Sequence, residues 1–528
     1  MPPSLSPGKF GLIFLMAFVL TAGCIKVGPN FVKPDAPLAP YWLETGDKRV
    51  KTGFEDHKNW WRAFNDAVLD KLIQNAYQEN LPLRIAGVRV LQARAQLGIV
   101  TGQLYPQAQQ ASGAVQKNRL SERAPTAAPG APNAFGQSQI GLTASWEIDF
   151  WGKFRRAIES ADAALLAAVA DYDSALVSLT ADVANSYILL RTLEKRLDIA
   201  RLNVDTQKES LRIAQARFKG GTTSQRDVEQ AKTVLGSTEA TIPTLEGQVR
   251  QTKNALSVLM GMPPSDLGDL LGSKSDIPAP PPQVALGIPA DLLRRRPDIQ
   301  SAELRAAAQS AQIGVAKANL YPAFSLTGTF GFLASDAGTF ALGDMFQWKS
   351  RTGSIGPSVQ WNIFNYGQIT NLVRVQDARF QELLITYQNT VLKAQQEVED
   401  ALIAFLKAQK RAKFLGESTA AAQRSVELAI LQYREGITDF TTVLTAEQAL
   451  LAQQDSLAST LGDISGNLVG VYRALGGGWQ IREGQDFLPA SVKEAMAKRT
   501  NWGRLLTPAA HTPSPEQPPK TLIRAPDW

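Results

Sequence analysis

The chain has little of what most catalytic and metal sites are built from. One cysteine in 528 residues, Cys24, excludes an intramolecular disulfide and a cysteine-rich zinc site. Two histidines, His57 and His511, leave few routes to acid–base chemistry. Charge of one sign is also scarce: 55 Lys+Arg against 49 Asp+Glu gives +6, too mild and dispersed a balance for nucleic acid. The paired acids Glu397, Glu399 and Asp400 have no partnering histidine. No stretch reaches eighteen uninterrupted apolar residues, which predicts no helical membrane anchor. The expectation is a folded protein that is no enzyme, with no catalytic, metal or cofactor site.

What is there begins with an export signal. Lys9 precedes the apolar run Phe10 to Leu20, and Thr21-Ala22-Gly23 leads into Cys24, so residues 1–23 read as a signal peptide. Ala-Gly-Cys resembles a bacterial lipoprotein cleavage box, in which Cys24 becomes the acylated first residue and a palmitate-type lipid the one covalent group. That box usually carries Leu three places before the cysteine, where this chain has Thr21.

Comparing the chain with itself shows a repeat of period near 215. Ala95 to Val100 with Leu104-Tyr105-Pro106 recurs as Ala311 to Ala316 with Leu320-Tyr321-Pro322. Trp146, Ile148 and Trp151-Gly152 return as Trp361, Ile363 and Tyr366-Gly367; Phe218, Gly221 and Thr223 return as Tyr433, Gly436 and Thr438. The predicted organisation is a segment 24–66, a first repeat 67–261, a linker 262–288, a second repeat 289–477 and a segment 478–528 whose end, from about 490, lacks any period and reads as disordered or loosely draped.

Within each repeat the period changes. Helical stretches (67–103 and 289–319) end at Leu-Tyr-Pro. Period-two strands follow at 139–149, 323–333 and 354–364, with a fourth at 107–117 that alternates only weakly. One face carries Ile140, Leu142 and Trp146, then Phe324, Leu326, Phe330 and Phe332, then Val359, Trp361 and Ile363; the other carries Ser, Thr and Gln. Long helices then run from Lys153 to Phe218 and from Gly367 to Tyr433. Each has a seam of period 3.5, Leu165 to Leu193 and Phe380 to Ala408. Glycine turns reverse the chain into return helices near 224–260 and 439–475.

Ten-residue strands with one apolar and one polar face suit an outer-membrane barrel, in which no edge is left open to hydrocarbon. Four strands cannot close; eight from a dimer fill with side chains, and twelve from a trimer leave a lumen. A soluble hairpin pair on its own helices is the competing reading of the same pattern.

Over nearly the whole mature chain the residues resemble the TolC-like outer-membrane efflux proteins, in their NodT-type lipoprotein branch. The resemblance rests on Cys24 to Phe31, Trp60-Trp61, the paired Leu-Tyr-Pro motifs, Asp291 to Asp298 and Gln432 to Gly436. It implies a mixed α/β membrane protein: a homotrimer with a twelve-stranded β-barrel in the bacterial outer membrane, a coiled-coil α-helical periplasmic tunnel and an equatorial band from the terminal and linker segments. It also implies two partners, a periplasmic adaptor and an inner-membrane transporter of the resistance-nodulation-division type. The chain would be their passive exit duct.

By the same resemblance the helix tips are the adaptor-docking surface, through Arg217, Phe218, Gly221 and Thr222 in one half and Tyr433, Arg434, Gly436 and Thr438 in the other. Plain helix termination accounts for the same residues. Relatives often close the tunnel with an aspartate ring at the position of Thr445, where this chain departs. Asp227, Glu229, Asp439 and Glu447 are the nearest acids, and a gate in which Tyr433 and Arg434 tie return helices to outer helices is the expectation. A protein-secretion exit duct and a non-conducting exported coiled-coil protein remain the alternatives; no substrate is legible.

Overall fold

The computed structural model describes residues 26–51, 58–121, 123, 132–272, 274–337 and 341–507. The signal peptide, Cys24, His57, His511 and the tail beyond Thr507 lie outside the described residues.

Two runs of elements share one order and nearly one set of lengths. Helix α1 (Ala67–Glu79) leads into α2 (Leu81–Gly102, 22 residues), strands β1 (Ala108–Arg119) and β2 (Ala134–Ile148), α3 (Lys153–Lys219, 67 residues) and α4 (Gln225–Leu259, 35 residues). The second run is α5 (Pro297–Ala318, 22 residues), β3 (Ala323–Ser335), β4 (Arg351–Gln360), α6 (Gln368–Arg434, 67 residues) and α7 (Phe440–Ala474, 35 residues). At 1.5 Å per residue α3 and α6 each extend about 100 Å.

The four strands form one antiparallel sheet in the order β1-β2-β3-β4. Directly paired residues share a face. Ile140 opposes Phe332, Leu142 opposes Phe330, Trp146 opposes Leu326 and Phe324 opposes Val359, so the apolar side chains make one continuous face. Gln139, Thr143, Ser145, Thr327, Thr329 and Ser358 occupy the other. Among the described residues both β1 and β4 are open edges.

Below the sheet, α3 packs against α2, α4, α5 and α7, and α6 against α5 and α7. The predicted seams are the core: Leu176, Val183 and Leu190 in α3, and Tyr387, Val391, Val398 and Phe405 in α6, are fully buried. By length and composition α3 could cross a bilayer, but 61% of its most apolar stretch is buried in protein, as in a core helix.

Four expectations on element ends are corrected. The helix expected over 67–103 breaks at Asn80, whose side chain accepts from Leu83 N (2.9 Å) and donates to Leu259 O (3.0 Å), restarting the helix with Pro82 in its first turn. The one expected from 289 begins only at Pro297, because Arg296, held extended by that proline, separates it from a short turn Leu292–Arg295. Strand β4 stops at Gln360 rather than 364: its partner Ala323 is preceded by Pro322, which has no N–H to extend the ladder, so Trp361 and Ile363 stand past the strand. The segment after 490 is ordered as far as Thr507; α8 (Ala490–Arg499) seats Met496 on Leu91, and Arg94 donates to Leu505 O (3.1 Å).

A strap from the N-terminal segment descends the outside of the helices. Arg156, fully buried, donates to Val27 O, Gly28 O and Asn30 Oδ1, and Lys26 pairs with Glu159 at 2.7 Å. Further down, Lys33 pairs with Glu303, Ala39 N donates to Gln395, Leu43 N to Glu399, and Arg49 reaches Leu406 O. Val50–Lys51 then pairs in parallel with Val284–Ala285.

Candidate functional site: the helix tips

Each long helix ends at a glycine that takes a left-handed backbone, Gly221 (φ +73°) and Gly436 (φ +80°), which a side chain would strain. Thr222 N and Oγ1 close the first turn on Arg217 O at 2.9 and 3.0 Å, and Ile437 N closes the second on Gln432 O at 2.9 Å. Thr438 Oγ1 lies 2.9 Å from Thr442 Oγ1, and Asp439 caps α7 by accepting from Thr442 N (3.2 Å).

The two tips are packed together by a small core of their own. Ile213, Ala214 and Val228 from the first run meet Val426, Tyr433, Phe440 and Val443 from the second. Tyr433 is buried, edge-on to Phe440 at 5.3 Å. Arg217 crosses between the tips: its guanidinium lies 4.6 Å from the Tyr433 ring centre and donates to Tyr433 O. Arg434 is exposed and makes no hydrogen bond or ion pair among the described residues. Within one copy, Tyr433 is tied to Arg217, joining the ends of the two long helices across 216 residues of sequence, a reach that no local pattern signals. Phe218, at the repeat position of Tyr433, is exposed.

The acids occupy different surroundings. Asp227 is buried and accepts from Thr223 and Ser224. Glu229 is exposed and pairs with Lys232 at 2.9 Å. Thr445 is exposed, its hydroxyl turned back onto Thr441 O (2.8 Å). Glu447 is buried between α7 and α3, where Ser210 Oγ donates to it, and burial pushes its carboxyl above the ordinary value. Higher between α3 and α7, Arg196 holds Asp455 with two hydrogen bonds (2.7 and 3.1 Å). No group of acids, histidines or cysteines among the described residues is arranged to hold a metal.

The outer membrane efflux protein family model matches residues 72–262 and 288–477, the two runs of elements. The chain belongs to that family. Nodulation protein T of Rhizobium leguminosarum bv. trifolii is 29% identical over 466 residues, covering 87% of this chain and 96% of that protein. The pyoverdine export outer membrane protein OpmQ of Pseudomonas putida is 32% identical over 427 residues, covering 80% and 88%. The outer-membrane channel OprN superposes with a TM-score of 0.79 at 33% identity, over 86% of this chain and all of that one. The fold is thus that of the TolC-like channels, and this efflux protein acts in the outer membrane as an exit duct with a large periplasmic portion.

Proposed function

We propose that three copies close head to tail into a twelve-stranded barrel continued by a helical tunnel, anchored by a lipid on Cys24 and gated at the tips. A periplasmic adaptor would dock there, delivering substrate from a resistance-nodulation-division type transporter, and no catalysis is asked of the chain. The observation that carries closure is a mismatch between the repeats. Val375, Ile385 and Leu392 of α6 are 46%, 56% and 51% exposed, whereas Ser160, Ala170 and Val177, their equivalents 215 residues earlier in α3, are buried. On that side of α3 lies α5; the equivalent of α5 for α6 is α2 of another copy, and Ile85 of α2 stands 54% exposed. The open edges β1 and β4 require the same partner.

The gate follows from the tip geometry. Cation–π and hydrogen-bond contacts from Arg217 hold Tyr433, and splaying the tips breaks them. The test is single-channel conductance of the purified protein, with oligomer mass on the same sample. A weakly conducting trimer is expected. Arg217→Ala should raise its conductance several-fold, because the tie is worth about 1–2 kcal/mol; Arg434→Ala should change it little. A monomer, or an assembly that never conducts, would return the protein to the structural coiled-coil reading.

A further inference from the structure

Three cations stand on the apolar face of the sheet. The uninterrupted register sets Lys117 opposite Gly136, Arg119 opposite Ala134 and Arg351 opposite Phe332, on the side that carries Ile140, Leu142 and Phe330. They lie at the strand ends away from α3 and α6. All three, with neighbouring Lys349, are exposed, and none has a carboxylate within salt-bridge distance among the described residues. The nearby acids are engaged elsewhere: Asp336 accepts from Gly136 N, and Asp344 from Ala341 N and Gln347. Unneutralised cations grouped at the rim of an apolar surface suit an anionic head carried on an apolar tail.

Closure concentrates these charges. Carrying the β2–β3 register onto the open edges by the repeat offset of 215 opposes Arg119 to Gly353 of the partner subunit and Lys117 to Ile355 of the partner subunit. Arg351 of the partner subunit then stands one pair beyond Arg119, on the same face, at a diagonal distance of roughly 7–8 Å. The guanidinium is already held: Arg351 lies 4.8 Å from the Trp348 ring centre and donates to Trp348 O at 2.9 Å. The turn bearing Trp348 folds back onto the sheet, where Ser138 Oγ donates to Leu342 O (3.0 Å) and Trp348 meets Phe332. Phe346 and Trp348 are 78% and 65% exposed, as aromatic residues are at a membrane interface.

We propose that each seam between copies binds the phosphate groups of an outer-leaflet glycolipid through Lys117 and Arg119 of one copy and Arg351 and Lys349 of the partner subunit. The inference rests on the closed-barrel reading. Guanidinium forks and an ammonium suit phosphate, and the apolar wall below, with Leu142, Phe330 and Ile355, suits acyl chains. That pairing of head and wall favours a lipid over free phosphate.

The test uses delipidated wild-type trimer and native mass spectrometry, with lipopolysaccharide, enzymatically dephosphorylated lipopolysaccharide or inorganic phosphate added. Lipopolysaccharide should bind at one site per seam, the dephosphorylated form about tenfold more weakly, and inorganic phosphate should not displace it. The combined variant Lys117→Gln, Arg119→Gln and Arg351→Gln should lose about tenfold in affinity while keeping trimer mass and conductance. If the combination does not assemble, Arg351→Gln alone should still lower the affinity. Equal binding of the dephosphorylated form, or wild-type affinity in the variants, overturns the site; displacement by inorganic phosphate overturns the lipid assignment. A wild-type protein that neither oligomerises nor conducts overturns the barrel reading itself.

Discussion

Glu447 shows how one side chain can set a response to pH. Its carboxyl is buried, with Ser210 as its hydrogen-bond partner, and burial raises its value above the ordinary 4.5. The group keeps its proton in the packed state at pH values where a solvated carboxyl has lost it. Packing of α7 on α3 is therefore tightest in acid and weakens as pH rises from the ordinary carboxylate value through the raised one. Conductance of the purified channel should rise over that interval, and Glu447→Gln, which keeps an acceptor for Ser210, should flatten the profile at the low-pH level. A profile unchanged by Glu447→Gln would place the titration elsewhere. The composition shows Glu447 only as a nearby acid; that it is buried depends on α3 crossing α7, and pairing across 237 residues leaves no local trace. Asp227, likewise acidic and likewise at a tip, spends its carboxylate on Thr223 and Ser224.

At the scale of elements, what local periodicity controls was legible. Alternation found three strands clearly and β1 only weakly, because a sheet with one apolar face imposes period two, and the 3.5-residue seam found the buried stripe of α3 and α6. What a partner controls was not legible: β4 ends where β3 runs into Pro322, and α8 is ordered by Leu91 rather than by a period of its own. The strand–helix junctions carry a sharper expectation. Trp151 stacks on Tyr321 with ring centres 4.6 Å apart and donates to Pro322 O at 2.8 Å. Its repeat equivalent Tyr366 is 99% exposed, and the equivalent of Tyr321 is Tyr105. If copies close into the proposed ring, Tyr366 should rest on Tyr105 of the partner subunit. A photo-crosslinking residue at 366 should give a dimer-mass band whose linked peptide contains Tyr105; a link only within one chain would break the repeat argument.

At the scale of the molecule, the strap joins residues 26–51 to helices, several of which come far later in the chain. Ala39 N and Leu43 N donate to Gln395 and Glu399. Replacing both acceptors, Gln395→Ala and Glu399→Ala, should speed hydrogen exchange at Ala39 and Leu43 by about fivefold, with the amides of the four-stranded sheet unaffected, since each hydrogen bond contributes about 1 kcal/mol. Unchanged exchange there would mean that the strap is held by its side chains alone.

The strap also has a consequence for biogenesis. The segment that crosses the inner membrane first is completed last: Lys33 waits for Glu303, Ala39 for Gln395, and Arg49 for Leu406. During export, then, residues 26–30 can settle once Arg156 and Glu159 have emerged, whereas the stretch from Lys33 to Arg49 waits for Glu303, Gln395 and Leu406. A long-range closure of that kind is slow and leaves apolar surface uncovered meanwhile. The finished strap accordingly requires the chain as far as Leu406, so a polypeptide cut short before that point cannot complete it.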